Sequence, residues 1–328
     1  MRIVEGARAL DALDLEAAHG AGSIESRSAV IVGVFDGVHL GHLRLLHELL
    51  ELASQTRSLP TLVTFRNHPD ELLRGERVEW IVSLPHRLRL LRRAGVRRVM
   101  LLDFDEELRS MSARAFTERI LVGGLRTAGL LLGYDSAIGK NREGSPERMT
   151  ALGAEFGFEV RQGSRFVVDG QPVSSSAIRS AILRGVLALC HRMLGRWPQA
   201  FGEVRHGDQR GRSLGFPTAN VTPQSLVLPP AGVYAIEAIV GGETIQGVAN
   251  LGSRPTFARG DAAGAAGTGD AAPGLEVHLF DFDGDLYGQL LEVSFLARLR
   301  GERRFASVDE LRTQIGLDAA AAKAALAP

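Results

Sequence analysis

Between residues 28 and 135 the chain alternates short apolar runs with stretches that place Leu and Ile at helical spacing among Arg and Glu. The runs Ala29 to Phe35, Leu59 to Phe65, Val99 to Leu102 and Gly129 to Gly133 have strand length and are bounded by turns or charges. Leu43 to Leu52, Leu84 to Ala94 and Ser112 to Val122 carry the helical period between them. Strands alternating with helices predict βαβ units and a parallel sheet covered on both faces. Ser174 to Leu194 reads as two helical stretches. Beyond them come β-type runs separated by Gly and Pro: Gly232 to Val240, Thr244 to Ala249, Leu275 to Phe282 and Leu290 to Phe295. That spacing predicts a small antiparallel barrel or sandwich. Ser307 and Glu310 then have the form of a capping box opening an Ala-rich helix to Ala327. Ala258 to Gly274, rich in Gly and Ala and without periodicity, is expected to be a loop. The expected fold class is α/β, in two domains covering 1–187 and 188–328.

Composition narrows the partners. A chain of 328 residues with 45% hydrophobic content can fill two cores. Its 38 Lys plus Arg balance 38 Asp plus Glu, which argues against the broad basic surface of a general nucleic-acid or anionic-membrane binder. Neither nucleic acid nor membrane is expected as a partner. No stretch approaches 18 uninterrupted apolar residues, and the N-terminus has no continuous apolar core of a signal peptide. Cys190, the single cysteine, sits beside Leu187, Ala188 and Leu189 like a buried helical thiol. A reducing cytoplasm is the expected location.

The segment Phe35-Asp36-Gly37-Val38-His39-Leu40-Gly41-His42 follows the first apolar run and opens a helix. The carboxyl end of a parallel strand leading into a helix N-terminus is where α/β folds hold nucleotide phosphates. Gly37 and Gly41 allow close backbone approach, and the imidazoles of His39 and His42 can donate to phosphate oxygens. The pair also fits a metal site lacking its third ligand, or two packing histidines at a helix start. His-x-Gly-His at this place resembles the signature of the HIGH-type nucleotidyltransferases. That family pairs it with a Ser/Thr plus basic motif, which Ser174-Ser175-Ser176-Ala177-Ile178-Arg179 matches. Read alone, the latter is an N-cap serine with an arginine in the first turn. The resemblance implies a Rossmann-like domain in which His39 and His42 contact the transferring phosphate, while Ser174, Ser175 and Arg179 grip the ATP phosphates. Adenylyl transfer builds negative charge on the α-phosphate, so preorganised donors are what the chemistry needs.

The second half carries Gly207-Asp208-Gln209-Arg210-Gly211-Arg212-Ser213-Leu214-Gly215. Charged residues between glycines four apart suit a loop around phosphate better than helix packing. Thr218 and Asn220 alternate to one side of an extended segment and can present oxygens to Mg²⁺. This stretch, through Pro217-Thr218-Ala219-Asn220, resembles the riboflavin kinase motif. The chain beyond residue 28 is similar to the bifunctional prokaryotic riboflavin kinase/FAD synthetase family, with further matches in family order at Gly247 to Phe257, Leu275 to Gly288 and Leu299 to Phe305. The resemblance implies an antiparallel β-barrel kinase domain with a C-terminal helix, converting riboflavin and ATP to FMN. The first domain then adenylylates FMN to FAD and releases pyrophosphate. It also implies ATP as co-substrate and Mg²⁺ as cofactor. Phosphate contacts fall on Gly207, Arg210, Gly211, Arg212 and Gly215, the metal on Thr218 and Asn220, the kinase base on Glu276 and a flavin contact on Arg300. Alternation puts Glu276, His278 and Phe280 on one strand face and Leu275, Val277 and Leu279 on the other. Asp281, Asp283, Asp285 and Glu292 mimic an EF-hand, but Leu286 stands where its glycine is required, which argues against Ca²⁺.

The match has departures. Val34 stands where the family has Asn, and Gly133-Tyr134-Asp135-Ser136-Ala137-Ile138-Gly139 lacks both phenylalanines of the usual motif. With Phe, Trp and Tyr only 6% of the chain, stacking partners for an isoalloxazine are few, and the flavin pocket around Asp135 is expected to be reshaped. Asn67 replaces a more usual Pro after the second strand; Asn67 and His68 are read as flavin or ribityl contacts, or as ordinary loop polars. Val34, Ser136 and Ile138 support a second reading, a riboflavin kinase whose first domain is a weak adenylyltransferase or acts on a different acceptor. A third, a flavin-binding regulatory or carrier protein, is opposed by the intact His39, His42, Arg179, Thr218, Asn220 and Glu276.

Overall fold

The computed structural model describes residues 1–5, 27–206, 215–225, 227–253 and 273–327. The phosphate-loop positions Gly207, Arg210, Gly211 and Arg212, and most of the Gly/Ala-rich stretch, lie outside the described residues. The chain divides into two compact units, Met1–Val78 with Leu84–Ser174, and Glu79–Ser83 with Ser175–Pro328.

The first unit runs β1 (Arg2–Glu5), β2 (Ser28–Val32), α1 (Leu40–Gln55), β3 (Leu59–Phe65), α2 (Pro69–Arg74), α3 (Leu84–Arg93) and β4 (Arg98–Leu102). It continues through α4 (Glu106–Ser110), α5 (Ala113–Phe116), a π-helix (Thr117–Gly124), β5 (Thr127–Leu132), α6 (Pro146–Phe156), β6 (Glu159–Gln162) and the small hairpin β7 (Val167–Val168) and β8 (Gln171–Pro172). Six strands form one parallel sheet in the order β1-β4-β3-β2-β5-β6. β4 and β5 are buried along their whole length, as continuous apolar runs in a sheet covered on both faces must be. From β2 the chain builds outward one way through β3 and β4, then returns to place β5 on the other side. The carboxyl ends of β2 and β5 therefore flank the topological switch point, where open α/β sheets bind ligands.

Two expectations shift here. The first strand stops at Val32, because the residues after it turn: Phe35 has φ 55°, Gly37 78° and Val38 40°. The helix read over Ser112 to Val122 is a short α-helix followed by the π-helix, a change of winding that apolar spacing does not report.

The second unit contains α7 (Ser175–Leu183), α8 (Leu187–Leu194), β9 (Gln199–Arg205), β10 (Ala219–Pro223), β11 (Gly232–Val240), β12 (Glu243–Ser253), β13 (Pro273–Leu279), β14 (Leu290–Arg300) and α9 (Val308–Leu326). Six antiparallel strands close a barrel in the order β10-β13-β12-β11-β14-β9. Its interior holds Tyr234, Ile236, Ala249, Leu251, Val277, Val293 and Phe295. Outside, Val233, Ala235, Val248 and Phe280 pack with Ala322 of α9. Ser307 caps α9 by accepting from the Glu310 N–H at 3.1 Å, and the Glu310 carboxylate accepts from the Ala306 N–H at 3.0 Å.

Candidate nucleotide sites

In the first unit the turn after β2 delivers its side chains to the start of α1. His39 is the N-cap residue, with φ −83° and ψ 174°; its Nδ1 accepts from the His42 N–H at 3.2 Å. With Nδ1 used as an acceptor, the proton of the neutral ring lies on Nε2, the nitrogen that can donate to a phosphate oxygen. The His42 ring is held between His39 (centroids 3.6 Å apart, planes at 15°) and Phe35 (4.5 Å, 29°). Gly41 is the residue that permits this stack: a Cβ there would lie 3.2 Å from the His39 ring. No acidic side chain occupies the first turn of α1, so the helix N-terminus keeps its preference for an external anion. The non-glycine φ values at Phe35 and Val38 are of the strained kind that clusters at functional sites.

Behind the turn is a residue that the motifs did not identify. The Arg87 guanidinium, 1% exposed, donates to the Val34 carbonyl at 2.9 Å and to the Phe65 carbonyl at 2.5 Å. It thereby joins the carboxyl ends of β2 and β3. Burial lowers its pKa to about 10, against the opposing pull of the Asp36 carboxylate; Asp36 itself is 1% exposed. The available signal was positional, since Arg87 shares the buried stripe of α3 with Leu90 and Leu91, where an arginine is out of place unless something polar lies beneath.

The other expected residues of this unit stand at neighbouring strand ends. Asn67 is paired to the Phe104 backbone. His68 is the N-cap of α2 and accepts from the Asp70 N–H. Asp135 is exposed beyond β5, with Arg142 donating to its carbonyl at 2.7 Å. Ile138 is 6% exposed and belongs to the core, so the loss of one family phenylalanine is a change of packing.

Ser175, the first residue of α7, opens the longer segment of the second unit, while Ser174 ends the first unit. Arg179 donates from Nε to the Glu79 carbonyl at 2.8 Å. On the barrel, Ala219 and Val221 face the interior, so Asn220 faces outward; the same alternation turns Glu276 and Asn250 outward. Register places Asn220 directly opposite Glu276 on one side and Asn250 opposite it on the other. Such cross-strand neighbours have Cβ atoms about 4.5–5.5 Å apart. Glu276 is exposed between two carboxamides, and Asn250 is a member of this row that motif reading passed over. His278 lies two residues along the same face, its Nδ1 donating to the Pro217 carbonyl at 2.8 Å. That bond fixes the segment leading to Thr218. Gly215, at φ 87°, supplies the left-handed bend before it. Arg300 forms a bidentate pair with the buried Asp318 of α9, at 2.9 and 2.7 Å, and so ties β14 to the helix.

A switch-point sheet with a histidine-capped helix, followed by a closed barrel presenting a carboxylate beside polar oxygens, defines a two-module enzyme of nucleotide phosphate chemistry. The FAD synthetase family model matches residues 22–177 and the riboflavin kinase model residues 194–326. Bifunctional riboflavin kinase/FMN adenylyltransferases are 40% identical in Pseudomonas fluorescens (90% of this chain, 92% of that protein), 39% in Escherichia coli K12 (88% and 89%) and 32% in Bacillus subtilis 168 (90% and 91%). A Streptococcus pneumoniae crystal structure described as a macrolide-efflux protein superposes with a TM-score of 0.73 at 29% identity, over 91% of this chain and 94% of that one. Among the described residues no helix is long and apolar enough to cross a membrane. The chain belongs to the bifunctional riboflavin kinase/FMN adenylyltransferase family.

Proposed function

We propose that this chain phosphorylates riboflavin with ATP on the barrel and adenylylates the resulting FMN at the His39 turn, releasing pyrophosphate. What supports the reading is that the His39 turn lies inside the FAD synthetase match, and Glu276 with Asn220 inside the riboflavin kinase match. The domain assignment is 1–187 for adenylyl transfer and 188–328 for the kinase.

On the barrel, Glu276 accepts the proton of the ribityl 5′-hydroxyl as that oxygen attacks the γ-phosphate of ATP, the bond from the γ-phosphorus to the β–γ bridging oxygen breaks and ADP leaves. Asn220 and Asn250 flank the carboxylate and hold the hydroxyl side of the substrate. Thr218 and Asn220 offer neutral hard oxygens, a donor set suited to Mg²⁺, which takes few protein ligands and keeps phosphate and water oxygens. Bound there, the ion would neutralise charge on the ATP phosphates. At the sheet edge, His39 Nε2–H and the N-terminal amides of α1 stabilise the α-phosphate as FMN's phosphate attacks. On the family resemblance, Asp135, Asn67 and His68 are assigned to flavin contact, and Ser174, Ser175 and Arg179 to the ATP phosphates. Gly207, Arg210, Gly211, Arg212 and Gly215 are assigned to the kinase ATP, and Arg300 to the flavin side of the barrel. The alternative of a weak or redirected first module draws no support from Ile138, which is a core side chain.

Product chromatography from riboflavin and from FMN, each with Mg-ATP, tests the division of labour. Glu276→Gln should lower FMN formation by about 10²–10⁴-fold while FMN is still converted to FAD. His39→Ala should do the reverse. Loss of both products in both folded variants would overturn it.

A further inference from the structure

The carboxyl edge of the parallel sheet presents one well-exposed aromatic ring among the described residues. Phe35 is 3% exposed and engaged with His42, while Phe65 is 8% exposed and packs edge-on against Phe104 at 5.5 Å. Tyr134, at the end of β5 across the switch point from the His39 turn, is 47% exposed. Its position is built rather than incidental. The Gln162 side-chain amide donates to the Tyr134 carbonyl at 3.0 Å, and the Arg165 guanidinium lies 5.4 Å from the ring centroid.

Arg165 stands on a segment docked along α1. The Ser164 N–H donates to Glu48 at 3.2 Å, and a side chain on Gly163 would collide with Leu45. Phe166 Cβ would lie 3.7 Å from a Cβ on Gly41, in the first turn of the helix. The segment that braces Tyr134 is thus seated on the helix whose N-terminus takes the phosphate. The positions where the family carries phenylalanine do not supply a ring: Ile138 is core, and the Ser136 N–H turns back to the Gly133 carbonyl at 3.0 Å.

We propose that Tyr134, braced by Arg165, is the stacking platform for the planar heteroaromatic ring of a nucleotide substrate whose phosphate lies at the His39 turn. The inference rests on the adenylyl-transfer reading of this unit and adds to it the residue that selects for a flat ring. Arg165 covers one face of the phenol by cation–π contact and limits its rotation. Isoalloxazine and adenine share the chemistry that such a ring recognises.

The test varies FMN at saturating Mg-ATP, and then Mg-ATP at saturating FMN, for the wild type, Tyr134→Ala, Tyr134→Phe and Arg165→Met. FMN fluorescence titration accompanies the kinetics. Tyr134→Ala should raise one of the two KM values about tenfold, about 1.4 kcal/mol, with kcat within about twofold. Tyr134→Phe should stay near wild type and Arg165→Met fall between. A change in the FMN arm together with loss of fluorescence quenching identifies isoalloxazine; a change in the ATP arm identifies adenine. If neither KM moves, or if Tyr134→Phe is as impaired as Tyr134→Ala, the platform is overturned. A wild-type chain that forms no FAD, yet loses nucleotide binding on Tyr134→Ala, would overturn the adenylyl-transfer reading and leave the platform standing.

Discussion

The side-chain amide of Asn67 exchanges two hydrogen bonds with the backbone of Phe104: Nδ2 donates to its carbonyl at 2.9 Å, and Oδ1 accepts from its N–H at 2.8 Å. The amide acts as a piece of backbone, latching the loop after β3 to the loop after β4. Asn67→Ala leaves both Phe104 groups without these partners and should cost about 1–3 kcal/mol, read by urea unfolding. A rise in the KM for FMN with unchanged stability would instead favour direct flavin contact.

Gly41 separates catalysis from stability. Alanine is the better helix former by about 1 kcal/mol, so Gly41→Ala should leave thermal unfolding unchanged or slightly raised. Its Cβ, however, presses on the His39 imidazole and should displace the donor nitrogen. FAD formation from FMN should fall at least about tenfold, while FMN formation from riboflavin is unaffected.

Arg87 is the buried tie between two strand ends. Arg87→Met removes the donors to the Val34 and Phe65 carbonyls and a cation acting on Asp36. A loss of about 3–5 kcal/mol is expected, measured by denaturant unfolding. Arg87→Lys should recover only part of it, because an ammonium has no fork to span two carbonyls.

Burial raises the pKa of the Cys190 thiol to about 11 from an ordinary 9.0. In the unfolded chain the thiol ionises from pH 9 upward, while in the folded chain it stays protonated until near 11. The unfolded state therefore binds fewer protons across that window, and stability falls as pH rises through it. Comparing unfolding free energies at pH 8.5 and 10.5 should give a smaller decrease for Cys190→Ala than for wild type. At pH 8 a thiol reagent should label Cys190 only as fast as the protein opens.

Elements with a strong local period were legible from sequence. Leu59–Phe65 and Gly232–Val240 were read with the bounds that the structure gives them. β9 was missed because Gly202 interrupts its pattern. That glycine exists for a long-range reason: a Cβ there would collide with the Thr222 carbonyl where β9 meets β10. β1 was missed because its four residues owe their order to pairing with β4, a partner far along the chain. Among the candidate site residues, motif resemblance names His39, His42, Asn220 and Glu276, because the proposed chemistry restricts residue type there. Arg87 and Asn250 escaped because their significance lies in what the fold sets beside them, namely two carbonyls in one case and a carboxylate in the other.

The register that sets Glu276 beside Asn220 has a consequence for synthesis on the ribosome. β10 lies between β9 and β13, so the pair comes into being only once β13 has joined β10. A nascent chain that has emerged as far as Asn220 holds that side chain without the carboxylate it will stand beside. A chain that stops before β13 should therefore lack the pair on which the proposed kinase chemistry rests.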